Sequence, residues 1–356
     1  MIFQFVFPDR DLCTPFACDY AHRAMDGNLL AVGDEEGRVS LIRTDKSNER
    51  PNLAFHQSFY CHRHVVTDVK WSRDDSMLLT VANDRLARLW DTQTCSILAE
   101  FHGHQDFVKS VNWHPIDQHV FVTTAKDGSF RVWDTRYNRK ISETTDDASK
   151  LIQYEPVKVV ENAHIPKDKK PTKKNEKSSH IRSVTSALFL PYDTQKVISS
   201  GCTDGTIKLW DIRFGRTASV LESATFISPS GKLIGITDMK LDKAGTRLFC
   251  SCMDSNINMF YINNLKEPAR QFSDPNFRVG SFDVRISLSP DEEYLLSGSI
   301  DSSAYVWQTE HCKEKPYVYE GHQDKVTSVC WNKRTVDQFA TCSEDFTTRI
   351  WKMEIE

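Results

Sequence analysis

Along most of the chain, apolar residues fall in short alternating runs, not at the three-to-four spacing of an amphipathic helix. Phe130-Arg131-Val132-Trp133 and Ile207-Lys208-Leu209-Trp210 are representative, and each follows an Asp-Gly pair, Asp127-Gly128 and Asp204-Gly205. Glycine accepts a positive φ, so such a pair between alternating runs predicts a tight β-hairpin. β-Branched and aromatic residues dominate the runs, as strands require. The runs also recur as a unit: a histidine, a strand with an aromatic, a second strand, a turn with aspartate, and a strand ending in tryptophan. Four copies begin at His64, His104, His180 and His322. Histidine to first aromatic is nine residues in three of them, and seven from His64 to Trp71. Turn aspartate to closing tryptophan is six residues in all four: Asp84 to Trp90, Asp127 to Trp133, Asp204 to Trp210, Asp345 to Trp351. Asp301 to Trp307 and Asp254 to Phe260 keep that offset without the histidine, and Leu29–Ile42 keeps the strand-turn-strand outline, making seven units.

One such unit cannot bury both of its faces, so the units must stack around an axis where neighbours cover one another. The expected fold is all-β, a single seven-bladed β-propeller over residues 1–356. The chain ends soon after the Trp351 strand, which leaves the last blade short of an outer strand. The unassigned β-like run Ile2–Phe7 is expected to pair there and close the ring, removing an open edge. The pattern resembles the WD-repeat family, with Gly103-His104 to Trp133-Asp134 and Gly321-His322 to Trp351 matching its landmarks. That resemblance implies a buried network of histidine, turn aspartate, strand hydroxyl and tryptophan in each full unit. The sets are His64, Asp84, Trp90; His104, Asp127, Trp133; His180, Asp204, Trp210; and His322, Asp345, Trp351, with Thr80, Thr123, Ser199 and Thr341 as hydroxyls. A buried indole N–H and a buried imidazole each need a partner, which such a set supplies.

Composition narrows the class. Hydrophobic residues at 39% and charged residues at 26% describe a soluble globular protein, and no run approaches the roughly 18 apolar residues of a membrane helix. Ten cysteines show no disulfide framework, as expected in a reducing compartment. Cys61-His62-Arg63-His64 is the best metal-like cluster, but no second Cys/His pair stands at zinc spacing, so no metal is expected. No cofactor is implied, and no Ser/His/Asp or paired-carboxylate arrangement asks for catalysis. The formal charge of −4 is uneven: Lys167–Lys177 carries about +4, leaving the rest near −8, a body suited to basic segments. The insertion 137–179, between blades three and four, is expected to be a flexible basic loop, with too little hydrophobicity at 166–179 to pack. Its Lys167, Lys169, Lys170, Lys173 and Lys174 suit a nuclear import signal, a DNA or clamp contact, or a solvated linker.

Two tryptophan strands end alike. Trp133-Asp134-Thr135-Arg136 and Trp210-Asp211-Ile212-Arg213 add an arginine where the Trp90 and Trp307 strands place Gln93 and Glu310. Six strand residues span roughly 20 Å, so these arginines lie on the face opposite the Asp127 and Asp204 turns. Each arginine either pairs with its own aspartate and shapes a loop, or offers a planar, multiply donating group to a partner. Two in consecutive blades resemble the paired boxes of propellers that dock onto the adaptor of cullin-4 ubiquitin ligases, the large damaged-DNA-binding subunit. Ala31–Val39, Ser287–Asp301, Val326–Asn332 and Ala340–Asp345, with the lysine-rich insertion, are similar to the denticleless family.

That second resemblance implies a non-catalytic substrate receptor in the nucleus, on chromatin, monomeric within a larger complex. Its adaptor contacts would be Trp133, Asp134, Arg136, Trp210, Asp211 and Arg213. Its targets would be degron proteins bound to the replication sliding clamp, such as the replication licensing factor, destroyed in replication or after DNA damage. Nucleic acid is met only indirectly, and membrane not at all. Members usually carry a longer segment before the ring and a long tail after it, neither of which stands in this sequence, so clamp-contacting or regulatory parts in such tails are expected to be missing. The alternative is a chromatin or complex-assembly scaffold without a ligase role, since propellers host many functions.

Overall fold

The computed structural model describes residues 2–6, 13–45, 55–141, 151–165, 183–213, 218–226 and 231–353. They form seven sheets arranged as blades, each built on four antiparallel strands from an innermost to an outermost one. Blade 3 shows the pattern: Val108–Trp113 inside, then Val120–Ala125, then Phe130–Asp134. Blade 4 repeats it with Val184–Leu190, Asp193–Gly201, Thr206–Asp211 and Ser219–Thr225. Strand Ile2–Val6 pairs antiparallel with Thr347–Lys352 of blade 7, Ile2 opposite Trp351 and Val6 opposite Thr347. The ring is thus closed by the chain's first strand. Among the described residues no helix is long and apolar enough to cross a membrane.

The alternation along each strand becomes two buried faces. Leu78 packs into the seam with blade 1, and its neighbour Leu79 into the seam with blade 3. Phe121 and Val122 divide in the same way between the seams to blades 2 and 4. Each of the seven apolar clusters fills one seam between adjacent blades, the seventh joining blade 7 to blade 1. A blade therefore has two buried faces, so neighbouring strand residues such as Leu78 and Leu79 are both apolar. Near the axis, aspartates of the innermost strands stitch neighbours together. Asp19 accepts the Trp71 N–H, Asp68 the Val111 N–H and Asp238 the Ile286 N–H, at 3.1, 3.0 and 3.1 Å.

The insertion differs from a free loop in its described part. Lys158–Val160 is the outer strand of blade 3, pairing with Phe130–Asp134. Arg139–Ile141 and Ile152–Tyr154 form a hairpin that extends blade 2, Ile152–Tyr154 running parallel to Ile97–Phe101. Tyr154 is the anchor: its ring stacks on Phe101 at 5.2 Å within the blade 2–3 seam. The expectation of one flexible stretch over 137–179 is corrected to this extent. Averaging over a lysine-rich segment concealed the β-branched run Val157-Lys158-Val159-Val160 at its centre. The five lysines of the proposed import signal lie outside the described residues.

Candidate functional site: the arginine face

The buried networks orient the face. In blade 3, Trp133 Nε1–H donates to Thr123 Oγ1 at 2.8 Å, and Thr123 lies 2.8 Å from His104 Nε2. His104 Nδ1 stands 3.0 Å from Asp127. Because the indole can only donate, the hydroxyl accepts from it and donates its own hydrogen bond to Nε2, and a neutral imidazole donates from Nδ1 to the carboxylate. Blade 7 repeats the chain through Trp351, Thr341, His322 and Asp345, at 2.8, 2.7 and 2.8 Å. Blade 6 has no such set, and the buried Trp307 indole N–H has no hydrogen-bond partner among the described residues.

Two of the expected histidines are corrected. In blade 2 the network runs Trp90, Thr80, His62, Asp84 at 3.0, 2.8 and 2.9 Å, while His64 is exposed. His62 stands nine residues before Trp71, the spacing of the regular units. In blade 4 the chain is Trp210, Ser199, His164, Asp204 at 2.7, 2.8 and 3.0 Å. His164 lies four residues past the end of the outer strand of blade 3, so the lysine-rich segment enters after the histidine and not before it. His180 lies outside the described residues.

These networks make stability pH-dependent. Burial pushes the His62, His104, His164 and His322 pKa values below normal, although their aspartates pull the other way. Burial would raise Asp84, Asp127, Asp204 and Asp345, but donors including the paired histidines hold them low. The unfolded chain therefore binds more protons than the folded one, first at histidine below about pH 6.5 and then at aspartate below about pH 4. The expected melting temperature is flat above neutrality, falls below about pH 6.5, and falls more steeply below about pH 4. A melting point that rises on acidification from pH 7 to 5 would contradict this assignment.

At the other end of each tryptophan strand lie the paired arginines. Trp133 and Trp210 are buried in seams, and Asp134 and Asp211 are nearly so. Arg136 donates Nε to Asp134 Oδ1 at 2.8 Å and Nη2 to Oδ2 at 2.7 Å, while Nη2 also reaches Asp117 at 2.8 Å. Arg213 grips Asp211 through Nε at 3.0 Å and Nη2 at 2.5 Å. Both aspartates also accept the backbone N–H two residues on, each at 2.9 Å. Burial would raise the Asp134 carboxyl, but the Arg136 bonds keep it below its ordinary value, and Arg213 draws Asp211 down to about 2. Local pairing and outward display thus coexist: the side chains stay 47% and 52% exposed while a bidentate clamp fixes each guanidinium plane.

The surroundings add what the sequence reading missed. Loops between the first two strands of blades 3 and 4 carry Pro115-Ile116-Asp117 and Pro191-Tyr192-Asp193. Ile116 and Tyr192 are exposed at 71% and 59%, as is Tyr137, next to Arg136, at 61%. Asp117 ties the first loop to Arg136, and Asp193 acts electrostatically on Arg213. His114, at the base of the first loop, packs edge-on against Phe189 of blade 4 at 4.9 Å, joining the blades at this face. Asn138, two residues past Arg136, lines a groove of about 820 Å³ together with Trp210 and Ala218. The repeated Pro-apolar-Asp tripeptide was the available signal. Among the described residues, no group of three or more His, Cys, Asp or Glu is placed to hold a metal.

Comparison with known proteins agrees with the repeat pattern. The family model described as WD domain, G-beta repeat matches residues 54–91, 95–134, 172–211, 271–308 and 313–352. The chain is 34% identical to the Denticleless protein homolog of Danio rerio over 351 residues, 95% of this chain and 52% of the relative. It is 34% identical to the Denticleless protein homolog of Homo sapiens over 95% of this chain and 46% of that one. Protein lethal(2)denticleless of Drosophila melanogaster is 29% identical over 95% of the chain and 44% of the relative. The chain spans about half the length of these curated relatives.

Proposed function

We propose that this chain, which belongs to the denticleless branch of the WD-repeat family, is the substrate-receptor module of a cullin-4 RING ubiquitin ligase. The observation that carries the reading is the arginine face. Two clamped, half-exposed guanidinium groups stand at equivalent ends of adjacent blades, beside exposed Ile116, Tyr137 and Tyr192. Arginine and tyrosine in a patch with apolar neighbours are the residue types that dominate binding energy in protein interfaces. Planes held in advance by Asp134 and Asp211 reduce the ordering entropy that docking must overcome.

The receptor does no chemistry in this scheme. It holds the adaptor on one face and a target elsewhere on the ring, raising the target's local concentration at the ligase's catalytic arm. Its targets are clamp-bound degron proteins such as the replication licensing factor, and its place is the nucleus, on chromatin. Gel filtration of the chain with purified cullin-4 adaptor tests the reading, with co-elution expected and separate elution contradicting it. Ile116→Asp and Tyr192→Asp should each weaken the complex about tenfold or more, because a carboxylate is then desolvated at the contact. Calorimetric titration reads this, and equal affinity for the variants would remove the apolar patch from the interface.

A further inference from the structure

Cysteines gather at one seam of the ring. Cys18 stands on the innermost strand of blade 1, Pro15–Tyr20, and packs in the blade 7–1 seam with Cys330 and Cys342. Register puts the two blade 7 cysteines on one face of their sheet. Cys330 lies two residues beyond Ser328 on Val326–Trp331, and Ser328 is directly opposite Cys342 on Gln338–Ser343. Alternate residues of a strand and directly opposed cross-strand partners point the same way. Cys18 meets that face. Its sulfur lies 3.6 Å from the Ser328 hydroxyl, 310 residues along the chain, and in hydrogen-bond contact with the Cys330 and Cys342 thiols.

Access separates the three cysteines. A cavity of about 380 Å³ on the ring axis is walled by innermost strands of several blades, through residues such as Asp68, Asn112, Lys240 and Ile286. Cys18 and Cys330 belong to its wall at 4% and 5% exposure, whereas Cys342 stands one strand further out and is wholly buried. Charge separates them as well. Burial opposes ionisation of Cys18, but the Cys330 and Cys342 thiols, the Ser328 hydroxyl and the Lys70 ammonium outweigh it and hold this thiol well below its usual range. Burial first, and then Cys18 itself, push Cys330 and Cys342 well above that range. A sulfur that ionises readily beside a protonated thiol, both at one cavity, is the arrangement of an attacking and a resolving cysteine.

We propose that Cys18 and Cys330 are an oxidation site for hydrogen peroxide, whose product is a disulfide joining blade 1 to blade 7. The Cys18 thiolate attacks one peroxide oxygen, the O–O bond breaks, and hydroxide leaves to become water with the proton that the thiol had released. The Cys330 thiol then attacks the resulting Cys18 sulfenic acid; the S–S bond forms, the S–O bond breaks, and the hydroxyl leaves with the thiol proton as a second water. Two thiols are oxidised and one peroxide is reduced. In a reducing compartment such a bond is a transient response to oxidant, not a permanent staple. While it lasts, it closes a loop spanning most of the chain, and the entropy removed from the unfolded state grows with the length of that loop.

Treatment of the purified full chain with hydrogen peroxide, then alkylation and a non-reduced tryptic digest, tests this. The expected product joins the peptide Asp11–Arg23 to the peptide Val326–Lys333, with fragment ions placing the bond on Cys18 and not on Cys13, and dithiothreitol releases it. Oxidation should raise the melting temperature by about 4 °C or more in the parent and in Cys342→Ser, and not in Cys330→Ser. The parent digest needs no variant to fold, so misfolding of a substituted chain cannot account for its result. Recovery of Cys18 and Cys330 as free thiols, a bond from Cys18 to Cys13 or Cys342 instead, or a bond that leaves the melting temperature unchanged would each overturn the proposal.

Discussion

Replacing Arg136 and Arg213 together by alanine is expected to weaken adaptor binding by about a hundredfold or more, while the melting temperature moves by no more than about 2 °C. The two halves of that expectation have separate causes. Each guanidinium is half exposed although its aspartate is buried, and an ion pair whose cation faces solvent contributes little because water and salt screen it. Asp134 and Asp211 keep the backbone N–H bonds from residues 136 and 213, which alanine retains, so neither strand end loses its turn. Binding behaves differently, since a docked partner excludes water from the same guanidinium groups. Lysine should not restore it, because one ammonium cannot reproduce the two-point clamp that fixes the guanidinium plane. Calorimetry and a thermal melt on the same preparation read both quantities. Unchanged affinity would remove these arginines from the interface, and a collapsed melting temperature would make their role structural.

The largest stability effects belong at the other end of the same strands. His62→Ala and His164→Ala are each expected to destabilise by about 2–4 kcal/mol, and His64→Ala by less than about 0.5 kcal/mol. His62 and His164 are buried, and removing either leaves a Thr80 or Ser199 hydroxyl and an Asp84 or Asp204 carboxylate without its histidine. His64 is exposed, and its loss disturbs no such chain. Thr123→Val should be as costly as the buried histidines, since it strands both Trp133 Nε1 and His104 Nε2 at nearly constant volume. Denaturant titration at neutral pH reads the order. A cost for His64→Ala equal to that for His62→Ala would overturn the assignment in blade 2.

Those histidines also mark where sequence reasoning stops. The ring itself was legible, because the six-residue interval from turn aspartate to closing aromatic, Trp307 or Phe260, survives in blades that have lost the histidine. The pairing of Ile2–Val6 with the last blade was legible too, since an edge strand needs covering and one β-like run remained. In blade 2 the regular nine-residue spacing already pointed from Trp71 to His62, but two histidines two residues apart blurred the count. In blade 4 no spacing could help. The lysine-rich segment separates His164 from its strand Val184–Leu190, and only the fold returns it to Asp204. Of the arginine face, the guanidinium groups were visible as a repeated motif. Ile116, Tyr137 and Tyr192 were not, because an apolar residue in a sequence reads first as core, and its exposure appears only once the loops are placed.

Hydrogen–deuterium exchange of the chain with and without purified cullin-4 adaptor is the most direct test of the docking face. The expected result is slowed exchange in residues 114–119, 134–138, 191–195 and 211–213, with the turns around Asp84, Asp127 and Asp345 unchanged. Protection confined to those turns, with the arginine segments exchanging as in the free chain, would contradict it.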